Sequence, residues 1–326
     1  MSAVACILMP APGDLMIRRL AQPIAPRPSL RTCSLLAMLL TASACTTQAG
    51  DDDDSAAVPL GIDPSFGHPA TWLYAHFDSA SNAELAFALR ALEASVESSV
   101  DFSSDELIDQ SPSLIPLNSD DLKGLNRPDG DPGLCEAVTL AARSSHAIDR
   151  HATAALQVDQ SAGDPSTPDH HERSFNDDTE LCWQGRNCDA LRAEDAMTRV
   201  NALFTIELRE RIDYRWVDLG LPAPSRVLAD QEAINEGLPR WGIVMRSWMP
   251  EVSGNEAETA SFEQAYNLGA WISQDTDPLL PVLRYTASWT QTILPVPLDA
   301  STVRQLTRGA IRDAYETQEQ WLAELP

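Results

Sequence analysis

The amino-acid sequence predicts an α+β fold: a helical N-terminal part, followed by an antiparallel sheet covered by a long C-terminal helix. Three observations carry that expectation. Behind a capping signal at Ser81, residues 81–100 repeat apolar side chains at helical spacing; residues 204–216 alternate apolar and polar residues with a period of two; and residues 301–325 return to a helical apolar stripe. A twisted sheet with one wet face and a helix over the other is a standard way to bury such patterns.

Taken in order, the chain opens on a targeting segment. Met16-Ile17-Arg18-Arg19 supplies a basic start, Arg27 and Arg31 keep the region positive, and an apolar run from Leu35 to Leu40 ends at Ala42-Ser43-Ala44-Cys45. That run is far shorter than the roughly 20 residues a membrane-spanning helix requires. It resembles the lipobox of bacterial lipoproteins, in which a signal peptidase cuts before the cysteine and the thiol carries a diacylglycerol. Ala42 stands where that pattern most often has leucine. The resemblance implies a signal peptide over 1–44, lipidation of Cys45 and attachment to the cell envelope. Thr46, in the place where an aspartate favours inner-membrane retention, implies an outer-membrane or surface destination. Ala42-x-Ala44 also fits an ordinary secretory signal cut after Ala44, and Met16 competes with Met1 as the start.

Residues 45–70 read as a lipidated, flexible, acidic tether: Gly, Pro, Asp and small residues with no apolar period. Asp51 to Asp54 lacks the alternating ligands, central glycine and closing glutamate of a calcium loop, so it reads as a solvated spacer.

Residues 71–165 form a mainly helical region. Ser81-Asn82-Ala83-Glu84 is a capping box, and Leu85, Leu89, Leu92, Val96 and Val100 follow on one face. A short helix is expected over 105–109, and a second long helix over Leu134 to Val158, with Leu134, Val138, Ala141, Ser145, Ile148, Ala152 and Leu156 on one face. The polar, proline-broken "DQSAGDPSTPDHHERSFNDD" marks the boundary to 166–326, the sheet and final helix.

Past that boundary Phe204, Ile206, Leu208, Ile212, Tyr214 and Trp216 share one strand face. Glu210 interrupts it, so a bend or bulge is expected there. Further strands are expected at Arg226–Ala229, Arg240–Trp248, Phe262–Ile272 and Val282–Leu294, separated by Gly- and Pro-bearing turns. The closing helix, Ser301 to Leu325, carries Val303, Leu306, Ala310, Ile311, Ala314, Tyr315, Trp321 and Leu322 on one stripe. Strands followed by a helix resemble the helix-grip arrangement of lipid- and polyketide-binding domains, an analogy of fold that does not establish function.

Composition excludes more than it assigns. With 48 Asp and Glu against 23 Lys and Arg, the net charge of −25 repels phosphate backbones, so nucleic acid is not an expected partner. No cofactor is called for: GxSxG, HExxH, GxxxxGK[ST] and GxGxxG are all missing from the sequence. Cys182 and Cys188, with five residues between them including Gly185, suit a small disulfide loop in an oxidising compartment. Cys135 is then left over, or pairs with one of the two.

Two candidate sites remain, each with a structural alternative. Asp169, His170, His171 and Glu172 offer metal-ligand chemistry, but adjacent histidines diverge in a strand or helix, and a solvated loop is the alternative. Tyr214, Trp216, Trp241, Tyr266, Tyr285 and Trp289 offer an aromatic lining for an apolar ligand, with core packing as the alternative. Arg209, Arg211 and Arg215, alternating with Glu207 and Asp213, suit cross-strand ion pairs or an anion patch. The function expected is a non-enzymatic, membrane-anchored protein that binds an apolar ligand or an envelope protein. A metal-dependent envelope hydrolase and a purely structural lipoprotein are the alternatives.

Overall fold

A computed structural model describes residues 68–98, 108–109, 114–167, 170–176, 180–200, 204–220, 240–255, 259–274 and 281–325. The targeting segment, Cys45, the tether as far as residue 67, Asp169 and the strand expected at Arg226–Ala229 lie outside them; the tether's expected last residues, Pro69 and Ala70, instead begin a helix.

Two helices come first. α1 (Pro69–Ala75) starts on His68, whose Nδ1 accepts the Ala70 N–H at 3.2 Å. α2 (Asn82–Glu97) starts on the expected capping box: Glu84 N–H donates to Ser81 Oγ, and Ser81 N–H donates to Glu84 Oε2 at 2.8 Å. The remaining elements are β1 (Ile108–Asp109), β2 (Glu136–Ser144), α3 (Ile148–Ala155), β3 (His171–Phe175), α4 (Glu180–Gln184), β4 (Leu191–Val200), β5 (Thr205–Gly220), β6 (Arg240–Trp248), β7 (Ser253–Gly254), β8 (Ser261–Ser273), β9 (Val282–Ile293) and α5 (Ala300–Glu324). The strands form one antiparallel sheet in the order β1-β2-β9-β8-β6-β5-β4-β3, with β7 beside β8. The fold is therefore α+β, with a long C-terminal helix against a sheet and helices at the N-terminal end.

Four expectations are corrected. The helix expected over 134–158 is a strand, β2, followed by the short helix α3. β2 is the Ala-rich segment "EAVTLAARS", paired with β9 along its whole length from Glu136↔Thr290 to Ser144↔Val282. A strand covered on both sides shows no polar alternation, and here its apolar residues mimicked a helical face. Of the short helix expected over 105–109, the described pair Ile108–Asp109 is a strand. β5 runs through Glu210 without a bulge; its register shifts instead between Asp218 and Gly220, where Gly220 takes φ 69°.

The fourth correction concerns the wet face, which the N-terminal helices cover over much of β5, β6, β8 and β9, leaving it open toward β3 and β4. On it, Val217, Val244, Leu268, Ile272, Tyr285 and Trp289 pack with Leu73, Tyr74, Leu85, Leu89 and Leu92 of α1 and α2 into one core. Arg240 ties this layer down: its Nη2 lies 2.8 Å from Glu93 Oε1 of α2, and both side chains are buried. Only the Thr205 end of that β5 face is open, and there Arg209 and Arg211 meet Glu194 of β4 at 3.3 and 2.8 Å. Those two arginines are cross-strand pairs. Arg215 instead donates to the Ala80 carbonyl at 3.1 Å, while Arg246 meets Asp213 at 2.9 Å.

α5 crosses the opposite face. Asp299 caps it, accepting the Thr302 N–H at 3.0 Å. Its C-terminal half is seated: the Trp321 ring lies on Gly163, where an added Cβ would stand 2.6 Å from a ring carbon. Its N-terminal half is held by Arg304, which pairs with Glu136 of β2 at 2.7 Å, but is less covered, with Leu306 53% exposed. A space remains between this part of the helix and the sheet.

Candidate ligand cavity

Between the sheet and α5 lies a cavity of about 460 Å³, within the range of small-molecule sites. Alternation along the strands decides what faces it. Leu208, Ile212 and Tyr214 of β5, Ile243 and Met245 of β6, Met249 just after it, and Met197 of β4 form an apolar floor. Val303, Leu306, Ala310, Ile311 and Ala314 of α5 form the roof, with Val200, Phe204, Phe262 and Leu294 toward the strand ends. Three methionines give the lining an adaptable surface.

A polar row crosses this floor at right angles to the strands. Ser288 Oγ of β9 donates to Asn267 Oδ1 of β8 at 2.7 Å, Asn267 Nδ2 donates to Ser247 Oγ of β6 at 3.0 Å, and Ser247 Oγ donates to Glu210 Oε2 of β5 at 3.1 Å. Beyond Glu210 the register continues to Asp195 of β4 and Arg173 of β3. With about 4.8 Å per strand gap, the row spans about 24 Å.

Its far end is ionic. Arg173 grips Asp195 with two bonds, Nε to Oδ1 and Nη2 to Oδ2, each 2.7 Å, and donates a third to the Ala155 carbonyl at 2.9 Å. His171 Nε2 lies 2.8 Å from Asp195 Oδ2. Burial opposes ionisation of Asp195, but the Arg173 guanidinium outweighs it, with help from His171, and holds the carboxyl at about 2. Arg199 pairs with Asp164 at 3.0 Å. Glu210 differs from its neighbours. It is 8% exposed, lines the cavity, and has no cation within 4 Å among the described residues. Burial raises its pKa above the ordinary carboxylate value; the nearby Arg199 charge and the Ser247 bond only partly offset that.

On the other flank, Arg284 of β9 lies over the Tyr315 ring at 4.0 Å and reaches Glu319 at 3.3 Å and Gln318. The Tyr315 hydroxyl stands 2.9 Å from Thr286 Oγ1. His151 Nε2 sits 2.9 Å from Ser144 Oγ, and its burial beside Arg284 pushes its pKa well below the usual imidazole value.

Of the six aromatic residues proposed from sequence, Tyr214 alone lines the cavity. Trp216 and Trp241 share its sheet face but lie beyond the cavity, sandwiching Arg186 at 4.7 and 4.8 Å. Tyr266, Tyr285 and Trp289 point the opposite way, into the core beneath α1 and α2. The expected disulfide joins Cys182 and Cys188, with Cα atoms 5.2 Å apart, and Cys135 is a free, buried thiol. Inside that loop Trp183 is buried, donating to the Ala152 carbonyl at 3.0 Å.

The metal candidates separate. His171 faces the cavity side while its neighbour Glu172 is exposed on the opposite face of β3, and His170 is exposed ahead of the strand. No group of three metal-ligating side chains occurs among the described residues. Thr167, His171 and Asp195 stand in the order of an acid–base triad, yet Thr167 Oγ1 is 3.5 Å from the ring and the residue is fully buried, away from the cavity. The floor residues Asp195, Glu210, Ser247, Asn267 and Ser288 were not selected from sequence. The available signal was paired interruptions: Asp195 in Leu191-x-Ala193-x-Asp195-x-Met197, opposite Glu210 in Leu208-x-Glu210-x-Ile212.

No protein-family model and no curated protein sequence matches the chain. Similar solved structures include the protein TTHA0849 from Thermus thermophilus (10% identity, TM-score 0.33, 58% of this chain and 94% of that one). Ara h 8.0201 is similar at 11% identity and TM-score 0.30, covering 59% and 99%. The Zhui aromatase/cyclase from Streptomyces sp. R1128 is similar at 12% identity and TM-score 0.31, covering 58% and 91%. Likenesses this shallow carry no weight for what the chain does.

Proposed function

We propose that this chain is an exported, lipid-anchored binding protein whose cavity takes an apolar ligand. The observation that carries the reading is the cavity itself: about 460 Å³, roofed by an apolar helix stripe and floored by methionine and branched aliphatic side chains. An apolar surface of this kind, left open under a partly exposed helix, gains by filling: about 25 cal/mol for each Å² of apolar area withdrawn from water. The polar row across the floor, with Arg284 and Thr286 on the other flank, gives a ligand's polar end places to orient, while the methionine and aliphatic lining packs against the rest of it.

Export is supported by the disulfide, which suits an oxidising compartment. Anchoring is supported by the lipobox-like Ala42-Ser43-Ala44-Cys45. Cys45→Ser should abolish fatty-acid labelling and release the protein from membranes; unchanged retention removes the anchor from the proposal. For the cavity, the neutral fluorophore N-phenyl-1-naphthylamine should bind the full chain carrying Cys45→Ser. Ala310→Trp, an exposed α5 position on the cavity, should block that binding. Equal binding by both proteins would place the probe elsewhere and refute the cavity as the site.

A further inference from the structure

We infer that the cavity selects amphiphilic amines, with Glu210 as the acid that receives the ammonium group; this rests on the cavity being a ligand site. Three observations converge. The first is charge pairing. Asp164 has Arg199 at 3.0 Å, Asp195 has Arg173 at 2.7 Å, and Arg284 has Glu319 at 3.3 Å. Glu210 is the one carboxylate on the cavity wall, among the described residues, without a cation within 4 Å. A buried carboxylate without a countercharge is costly, and a ligand that brings the charge recovers that cost.

The second is direction. Each bond in the row from Ser288 through Asn267 to Ser247 donates toward Glu210, so the row ends on an acceptor. Ser247 reaches only Oε2, which leaves Oε1 for a donor inside the cavity. An ammonium has three N–H donors and no acceptor, and so complements that oxygen. A carboxylate placed at that oxygen does not, since it would bring a second acceptor and a like charge to Glu210.

The third is the field outside. A net charge of −25 draws cations toward the protein and repels anions, raising the local concentration of one ligand class over the other. The lining supplies the remainder of the fit, with Met197, Met245 and Met249 beneath an apolar helix stripe suited to an alkyl chain or a fused ring.

Three probes of equal chain length separate the outcomes: dodecylamine, dodecanol and dodecanoate, each displacing N-phenyl-1-naphthylamine from the full chain carrying Cys45→Ser. Salt is held at about 0.15 M, where attraction to surface charge is screened beyond about 8 Å. Dodecylamine is expected to bind at least tenfold tighter than either competitor. Glu210→Gln, which keeps the shape and one acceptor, should remove that preference and leave dodecanol unchanged. Dodecanoate binding as tightly as dodecylamine to the unsubstituted site, or an amine preference that survives Glu210→Gln, overturns the inference while the cavity stands. Displacement by none of the three overturns the cavity reading itself. The comparison on the unsubstituted protein holds even if the variant fails to fold.

Discussion

Replacing Arg173 by Met should expose how much of the sheet edge depends on one ion pair. The side chains of Arg173 and Asp195 are 4% and 1% exposed, and their two 2.7 Å bonds leave neither group access to bulk water. Removing the guanidinium strands a buried carboxylate with His171 as its nearest partner, and breaking such a pair costs about 3–5 kcal/mol. The pH dependence carries the sharper test. In the native protein Asp195 titrates at about 2 against 3.8 for the free side chain, so its ionisation stabilises the fold by about 2 kcal/mol above pH 3.8 and loses that as pH falls toward 2. In Arg173→Met burial raises the same carboxyl, so the penalty is present at neutral pH and fades on acidification. Urea unfolding of the soluble chain should therefore give a large stability difference at pH 7 and a smaller one at pH 4. The double variant Arg173→Met/Asp195→Leu should recover most of the loss, because no stranded charge remains. A cost below about 1 kcal/mol at pH 7, or one that does not shrink in acid, would refute this account.

A second expectation concerns His68, which caps α1 through an unprotonated Nδ1 and whose pKa burial lowers to about 4. The unfolded chain binds this proton near 6.5, so stability should fall by up to about 3 kcal/mol as pH drops from 6.5 to 4. His68→Asn, a neutral cap, should flatten that part of the urea midpoint profile, and an unchanged slope would acquit the histidine. The third is the disulfide. Closing so short a loop restricts the unfolded chain by about 2 kcal/mol, and Cys182→Ser/Cys188→Ser should lower stability by that amount. It should also raise Trp183 accessibility to acrylamide quenching, and unaltered quenching would show that packing alone holds the ring.

Much of the fold was legible because it rests on local chemistry. The Ser81–Glu84 box, the β6 boundaries and the α5 stripe follow from capping, turn residues and periodicity, and each stands where those rules place it. β2 was illegible because burial on both faces erases the alternation that marks a strand, and Val138, Ala141 and Ser145 then mimic a helical face. The site was harder still. Period two reveals that Tyr214 and Tyr266 each lie on a buried face, but not that the two faces belong to different layers. Glu210 was visible as an exception, yet an acid inside an apolar strand reads as a break unless its neighbours across the sheet are known. Those neighbours, Asp195 and Ser247, come from segments 15 and 37 residues away.

Alternation has one further consequence. In the central strands, successive residues serve two unrelated tasks: Val217, Val244 and Leu268 hold the helical layer, while Ile212, Met245 and Asn267 furnish the cavity. The two interleaved texts share a backbone but few side-chain neighbours, so either can be edited almost independently. A tightly filled layer on one side lets the other remain under-packed and open to revision. Swapping only the cavity-facing letters of β5, β6 and β8 would then be a route to new ligand preferences on an unchanged scaffold.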